Sequence, residues 1–318
     1  MKFIEPSVEI IQQEPGIDGM MKIMEMAGRT AYKSEDHITE DSAKRFVKML
    51  KDKKHGAALE HGTCYLAIPQ EEWDNIVDDH DFNFLDCPYQ FYGFDYRTRD
   101  YRYLTTNYRV LVEHGYEQLL DYMVTPTEDE FQWNVGAYHH FHRRITVKFI
   151  CDRGVSHEFC RHRVFSFLME STRYCNYSKD KFGNQITFII PRWIHDIQEE
   201  IASTVDSATG LSREYFRDYQ TNILMNNLTT VDRTVSSYMD TLQAIEDCYL
   251  DMTIEDGLKP QQARQILPNC LKTELIMTGT IEQWKWFFKL RCATSAHPDA
   301  RYLATQLKEK FRNAGYLN

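Results

Sequence analysis

Apolar residues recur along this chain with two periods, and the changes of period divide it into strands and helices. Val8, Ile10 and Ile11 predict a short strand within residues 1–13. Met20, Met21, Ile23, Met24, Met26 and Ala27 have helical spacing, which predicts a helix over residues 20–32. Ala43, Phe46, Val47 and Leu50 line one face of a second helix over residues 42–50. The segment L-E-H-G-T-C-Y-L-A-I (59–68) ends as a strand, and I-T-V-K-F-I-C (145–151) alternates like a half-buried one. Residues 108–123 read as helical, and I-T-F-I-I-P (186–191) reads as a strand. Two long helices are expected next. One carries Leu211, Tyr215, Phe216, Tyr219 and Ile223; the other carries Val235, Tyr238, Met239, Leu242, Ile245, Tyr249 and Met252. This Met and Tyr stripe reads as core or interface. Gly257 and Pro260 stop the second helix, Thr280 opens another segment, and Pro298 suits the first position of a last helix with Leu303, Leu307 and Phe311 inward.

Composition narrows the class. The 318 residues make one large domain or two ordinary ones, with 42% hydrophobic and 26% charged residues. The formal charge of −10 argues against broad nucleic-acid binding. No apolar run reaches the length of a membrane span, and M-K-F-I-E-P-S-V-E-I is too polar and acidic for a signal peptide. The eight cysteines are scattered, so reduced thiols in a cytoplasmic protein are expected. No internal repeat, low-complexity tract or obvious linker is visible.

Against that acidic balance one stretch stands out, residues 152–177. Arg153, His157, Arg161, His162 and Arg163 crowd its first part, and Ser171, Thr172 and Arg173 follow. After the strand at 145–151, Gly154 reads as a turn and Ser156 as the cap of a helix beginning near His157. A strand, a turn and a donor-rich helix start would suit an anion, and arginine forks bind two oxygens at once. The plainer reading is a solvated, salt-bridged helix face. Cys160 adjoins two cations, yet Phe159-Cys160 reads as the apolar side of that helix, so its thiol is expected to be structural.

Elsewhere the chemistry is weaker. His61 and Thr63 sit where a strand begins and could face a pocket, although a lone histidine is more often structural. The Arg/Tyr run at 94–109 could stack on bases or on a flavin ring, but a packed aromatic surface is the favoured reading. His139, His140 and His142 point to alternate sides of a strand-like segment, so no metal site is expected there.

R-H-R followed by seven residues and serine (Arg161 to Ser171) resembles the signature of flavin-dependent thymidylate synthases. S-T-R-Y (171–174) and the lead-in R-G-V-S-H-E (153–158) resemble it too, as do G-R-T-A-Y-K-S (28–34), L-E-H-G-T (59–63), Q-A-R-Q-I-L-P (262–268) and W-F-F-K-L-R (286–291). Residues 69–143 have no counterpart in the shortest members and look like an insertion in a single domain spanning 1–318. The resemblance implies an α+β fold, a central mixed sheet flanked by helices, assembled as a homotetramer with shared active sites. It implies reductive methylation of dUMP to dTMP, with methylenetetrahydrofolate as carbon donor, FAD as flavin and NADPH as reductant, and no metal, membrane or nucleic-acid partner. It further implies catalytic roles for Arg291 and Ser171. Flavin contacts are implied from His61, Thr63, Arg161, His162 and Arg163, and nucleotide contacts from Glu158, Glu170, Ser171, Thr172, Arg173, Arg264 and Arg291. The pattern departs at Leu168 and Met169, where polar residues are usual, with Glu170 as a possible replacement contact. It departs again at Thr280-Ile281-Glu282, where an Asn-x-Arg pair is usual and Arg109 could substitute. The alternative is a nucleotide-binding homologue or regulator without catalysis.

Overall fold

The computed structural model describes residues 1–78, 82–94, 100–131, 140–204, 225, 228–229 and 232–317. The helix expected around Leu211–Ile223 lies outside the described residues, as do parts of the 94–109 and 138–142 segments.

The chain opens with β1 (Lys2–Ile4) and β2 (Ser7–Ile11), then α1 (Gly16–Tyr32), α2 (Ser42–Asp52) and the single turn α3 (Gly56–Leu59). Next come β3 (Thr63–Pro69), α4 (Gln70–Asp78), α5 (Phe82–Leu85), β4 (Phe91–Phe94), β5 (Tyr101–Asn107), α6 (Tyr108–His114) and α7 (Glu128–Phe131). The central part is β6 (Arg144–Asp152), α8 (Arg153–Phe159), β7 (Ser166–Met169), β8 (Thr187–Ile189) and α9 (Arg192–Thr204). The rest is α10 (Arg233–Ile254), α11 (Pro260–Ala263), β9 (Lys272–Thr280), α12 (Ile281–Arg291) and α13 (Pro298–Asn313).

The fold is α+β, as expected. Its main sheet has the order β2-β6-β9-β7 with antiparallel neighbours. Among the described residues parallel pairing is confined to β1 with β8, and β3-β5-β4 forms a third, antiparallel sheet. That third sheet absorbs the insertion: β5 pairs along the whole of β3, from Thr63↔Asn107 to Pro69↔Tyr101.

Strand alternation gives the main sheet two unlike faces. Val8, Val147, Phe149, Leu275 and Met277 point to one side, where they pack with Phe159 of α8, Trp284, Phe287 and Phe288 of α12, and Leu303, Leu307 and Phe311 of α13. The register then forces Thr146, Thr278 and Ser166 into one row on the other side, with Lys148 and Glu274 further along. That face is polar, and α1 packs against its β7–β9 edge.

Several ends follow local rules. Thr280 caps α12 in a capping box with Gln283, and Pro298 opens α13 at its first turn. Gly115, at φ +79°, ends α6, so the helical segment expected over 108–123 divides there into α6 and a 3₁₀ turn at Glu117–Tyr122. The expected helix start at Ser156 is corrected. Asp152 caps α8 instead, its carboxylate accepting from Val155 N at 2.8 Å, and Gly154 lies inside the helix. The Oγ of Ser156 donates back to Arg153 O at 2.8 Å. Arg161–Arg163 therefore follow a short helix and do not open one, and their cations are not aimed by helix N–H groups.

Candidate functional site

The sequence-predicted residues fall into three places. The first is the turn after β7. Ser171 N–H donates to Ala31 O at 3.1 Å, tying the turn to the end of α1, and Ser171 Oγ accepts from Arg173 N at 3.3 Å. Arg264, exposed after α11, reaches Thr172 Oγ1 at 3.5 Å, and Arg173 Nε donates to Gln261 Oε1 at 3.3 Å. Residues from two distant segments thus place two guanidinium groups and two hydroxyls on one surface. Beside it lies a cleft of about 500 Å³ lined by Tyr32, His55, Arg109, Leu168, Ser171 and Tyr174, among others. Tyr32 and Tyr174 have ring centroids 5.2 Å apart, and Tyr32 Oη lies 2.6 Å from His55 Nδ1.

The second place is the loop after α8. His162 is buried, its ring 5.0 Å from that of Phe287, while Arg161 and Arg163 are exposed on either side of it. Neither exposed arginine has a side-chain ion pair or hydrogen bond among the described residues. Arg291 Nε donates to His162 Nε2 at 2.9 Å, and its other nitrogens reach the Glu158 carboxylate at 2.5 Å and the Glu158 carbonyl. Burial, then the Arg291 charge, depresses His162 to about 4, so the ring is neutral near pH 7 and accepts the arginine's proton. Glu158, expected at the nucleotide, is the counter-ion of Arg291 in this chain.

The third place is the polar sheet face. His61 is fully buried, with Nδ1 2.8 Å from Thr278 Oγ1, which lies 2.8 Å from Thr146 Oγ1. Its Nε2 has no partner among the described residues, and burial, then Arg144, holds the ring neutral with a pKa of about 3. Thr63 is clamped by Gln13, which donates to its carbonyl at 2.8 Å and accepts its N–H at 2.9 Å. The glycine of L-E-H-G-T permits this packing: a Cβ on Gly62 would lie 2.7 Å from Met24 Sδ.

Two expectations are corrected. Glu170 does not face the cleft. It is 2% exposed, and its carboxylate meets Lys272 Nζ at 2.8 Å and the Tyr177 hydroxyl at 3.3 Å. Arg109 lines the cleft, but its charge is held by Glu60 at 2.5 Å and Glu113 at 2.7 Å. Cys160 behaves as expected: it packs against the α12–α13 core, and burial raises its thiol pKa. Of the histidine group, His140 stacks on Tyr103 at 4.1 Å and His142 lies 3.9 Å from the Glu282 carboxylate, so those two serve ring packing and a local polar contact.

Sequence reasoning missed a buried ion network. Glu274 receives Lys33 at 2.7 Å, Lys148 at 2.7 Å and Lys272 at 2.5 Å; Lys33 also holds Glu35, and Lys272 also holds Glu170. The three cations outweigh the burial penalty and depress Glu274 to about 2. The Arg173–Arg264 surface beside Tyr32 and Tyr174 suits an anionic group attached to a planar ring, the class of ligand to which nucleotides belong.

Residues 139–314, more than half of the chain, match the family model described as thymidylate synthase complementing protein, and the chain belongs to that family. Similar proteins include the flavin-dependent thymidylate synthases of Geobacter sulfurreducens (26% identical over 155 residues, 49% of this chain and 50% of the relative) and Pyrococcus furiosus (26% over 160 residues, 50% of each). That of Corynebacterium diphtheriae is 27% identical over 165 residues, covering 50% of this chain and 54% of the relative. The chain thus spans about half the length of these relatives. A solved structure, the UMP/dUMP methylase PolB from Streptomyces cacaoi bound with 5-Br dUMP, aligns over 98% of this chain and 93% of its own at 15% identity. The TM-score of that alignment is 0.39.

Proposed function

We propose that this chain methylates dUMP to dTMP reductively, with methylenetetrahydrofolate as carbon donor, FAD as flavin and NADPH as final reductant. The observation that carries this reading is the convergence of Ser171, Thr172, Arg173 and Arg264 beside an aromatic-walled cleft, in a chain of this family. Two guanidinium forks and two hydroxyls suit the dianionic phosphate of a nucleotide. Tyr32 and Tyr174 offer faces to a planar ring.

Arg161 and Arg163 fit a flavin pyrophosphate, because both are exposed and carry no competing carboxylate among the described residues. Bound there and reduced by NADPH, the flavin would supply the hydride that brings the transferred one-carbon unit to the methyl level. Arg291 is held from three sides by Glu158 and the His162 ring, which fixes its guanidinium plane. A fixed guanidinium stabilises negative charge developing on a uracil ring without reorganising. His162, neutral near pH 7, is an acceptor and not a second cation at that point. Ser171 acts as a phosphate or ring donor, since among the described residues no histidine pairs with its Oγ as a general base.

Among the described residues no hydrogen bond or ion pair joins the Ser171–Arg264 surface to the His162–Arg291 cluster. The resemblance to the family is what supports sites completed between subunits of a homotetramer. Leu168 and Met169 line the cleft beside Ser171, an apolar stretch that favours, as a second reading, a nucleotide-binding homologue without turnover.

The experiment is the absorbance spectrum of the purified protein, anaerobic titration with dUMP, and tritium release from dUMP labelled at C5. A flavin spectrum perturbed by dUMP, with NADPH- and folate-dependent release, is expected. Nucleotide binding without flavin or release would establish the second reading.

A further inference from the structure

A groove of about 520 Å³ runs between α12 and α13. Lys285, Phe288 and Lys289 line it from one helix, Lys308 and Arg312 from the other, and Tyr316 from the segment that follows. It lies apart from the Arg291 cluster. Lys289 and Arg291 are two positions apart, which puts them about 200° apart around α12. Arg291 turns to His162 and Glu158, whereas Lys289 turns to the groove. Phe288 is buried and Tyr316 half-buried, so cationic tips border an aromatic floor.

The charge there is concentrated and poorly offset. Lys285 and Lys289 are one helical step of four apart, so they stack on one face of α12, and Lys308 faces them from α13. Like charges at that spacing repel and weaken a helix. The negative end of the helix dipole relieves Lys289, in the last turn of α12, but neither Lys285 nor Lys308. Nearby acids serve other groups: Glu309 holds Arg312 at 2.6 Å, and Glu282, outside the groove lining, lies 3.9 Å from His142 Nδ1. Lys289 Nζ sits 5.1 Å from the Trp286 ring, a contact that supplies no counter-charge. Among the described residues the three lysines have no ion pair, in a chain whose 47 acids outnumber its 37 Lys and Arg. Solvation alone accounts for a single exposed lysine, but not for three drawn from two helices to one cavity. Three unpaired ammonium groups suit the charge of a triphosphate chain, and the aromatic floor suits a planar ring attached to it. The size is that of a small-molecule pocket, which spans about 300–1,000 Å³. The net charge of −10 disfavours a long polyanion.

We propose that the α12–α13 groove binds a nucleoside triphosphate, its phosphate chain on Lys285, Lys289 and Lys308 and its base against Tyr316, independently of the surface around Ser171. Calorimetric titration of the full chain with ATP tests it, with FAD and dUMP in excess so that the other phosphate-suited surfaces do not compete. One saturable event is expected, weakening as potassium chloride is raised. Tripolyphosphate should compete with it, and citrate at equal ionic strength should not. Lys285→Gln/Lys289→Gln and Lys308→Gln should each weaken the event about tenfold or more. The charge-matched Arg45→Gln/Lys48→Gln on the exposed face of α2 should leave it unchanged. These variants localise the event whether or not FAD and dUMP bind. If a groove variant does not fold, crystals of the parent soaked in ATP decide the matter, with triphosphate density expected among the three lysines. No saturable event, equal affinity in the parent and the folded groove variants, competition by citrate equal to that by tripolyphosphate, or triphosphate density elsewhere would overturn the proposal.

Discussion

Replacing Glu274 by Gln should remove the anion at the centre of the buried lysine network, and the cost should depend on pH. Glu274 is 5% exposed and has a pKa depressed from 4.5 to about 2. At about 1.4 kcal/mol for each tenfold change in proton affinity, the ionised group stabilises the fold by roughly 3 kcal/mol at pH 7. The depressed carboxylate contributes fully above 4.5 and loses its contribution as pH falls toward 2. By pH 3.5 the same linkage leaves about 2 kcal/mol. Among the described residues Lys148 has no other acid within pairing distance, whereas Lys33 keeps Glu35 and Lys272 keeps Glu170. Glu274→Gln should therefore cost about 3 kcal/mol at pH 7 and clearly less at pH 3.5. The assay is urea unfolding of both proteins across that range, followed by tryptophan fluorescence, with Trp284 buried against the same sheet as a reporter. A loss under about 1 kcal/mol at pH 7, or one independent of pH, would refute the coupling.

Three further outcomes are expected. Ser171→Ala should weaken dUMP binding about tenfold yet leave turnover at saturation; normal binding with no turnover would count against a binding role. Arg163→Ala should lose flavin on gel filtration while Arg312→Ala, whose arginine pairs with Glu309 on the surface, should retain it; equal retention would remove Arg163 from the flavin site. Cys160→Ala should cost about 1–2 kcal/mol from a small cavity and keep tritium release, whereas abolished release in a stable, flavin-loaded variant would make the thiol a participant.

Legibility in the sequence followed the range of the interaction. The strand at 145–151 was readable because alternation is local, and β6 extends it by one residue at each end. The stripe Val235 to Met252 likewise became α10, and Pro298 opened α13. The start of α8 was misread because Ser156 and Asp152 are both good caps, and only the observed Asp152–Val155 hydrogen bond distinguishes them. Glu170 is read as a replacement nucleotide contact because it follows Leu168 and Met169, but beyond the end of β7 its carboxylate turns inward to Lys272 and the Tyr177 hydroxyl, a partner that no local pattern announces.

By itself the sequence determined the two periods of apolar residues, the helix caps written within a few positions, and the motif residues that name the family. These depend on neighbours along the chain, whose geometry the backbone dictates. The tertiary structure alone decided which charges meet. Lys33 and Glu274 are 241 positions apart, and Arg291 and Glu158 are 133 apart. The face that Glu274 presents to Lys33 depends on the β6–β9–β7 register, in which a shift of one residue would turn it to the opposite side. Only the same packing left Arg144 with carbonyls and hydroxyls while it handed the Glu60 carboxylate to Arg109. Burial then converted those placements into electrostatics, because a charge withdrawn from water is governed by whatever partner the fold brings to it.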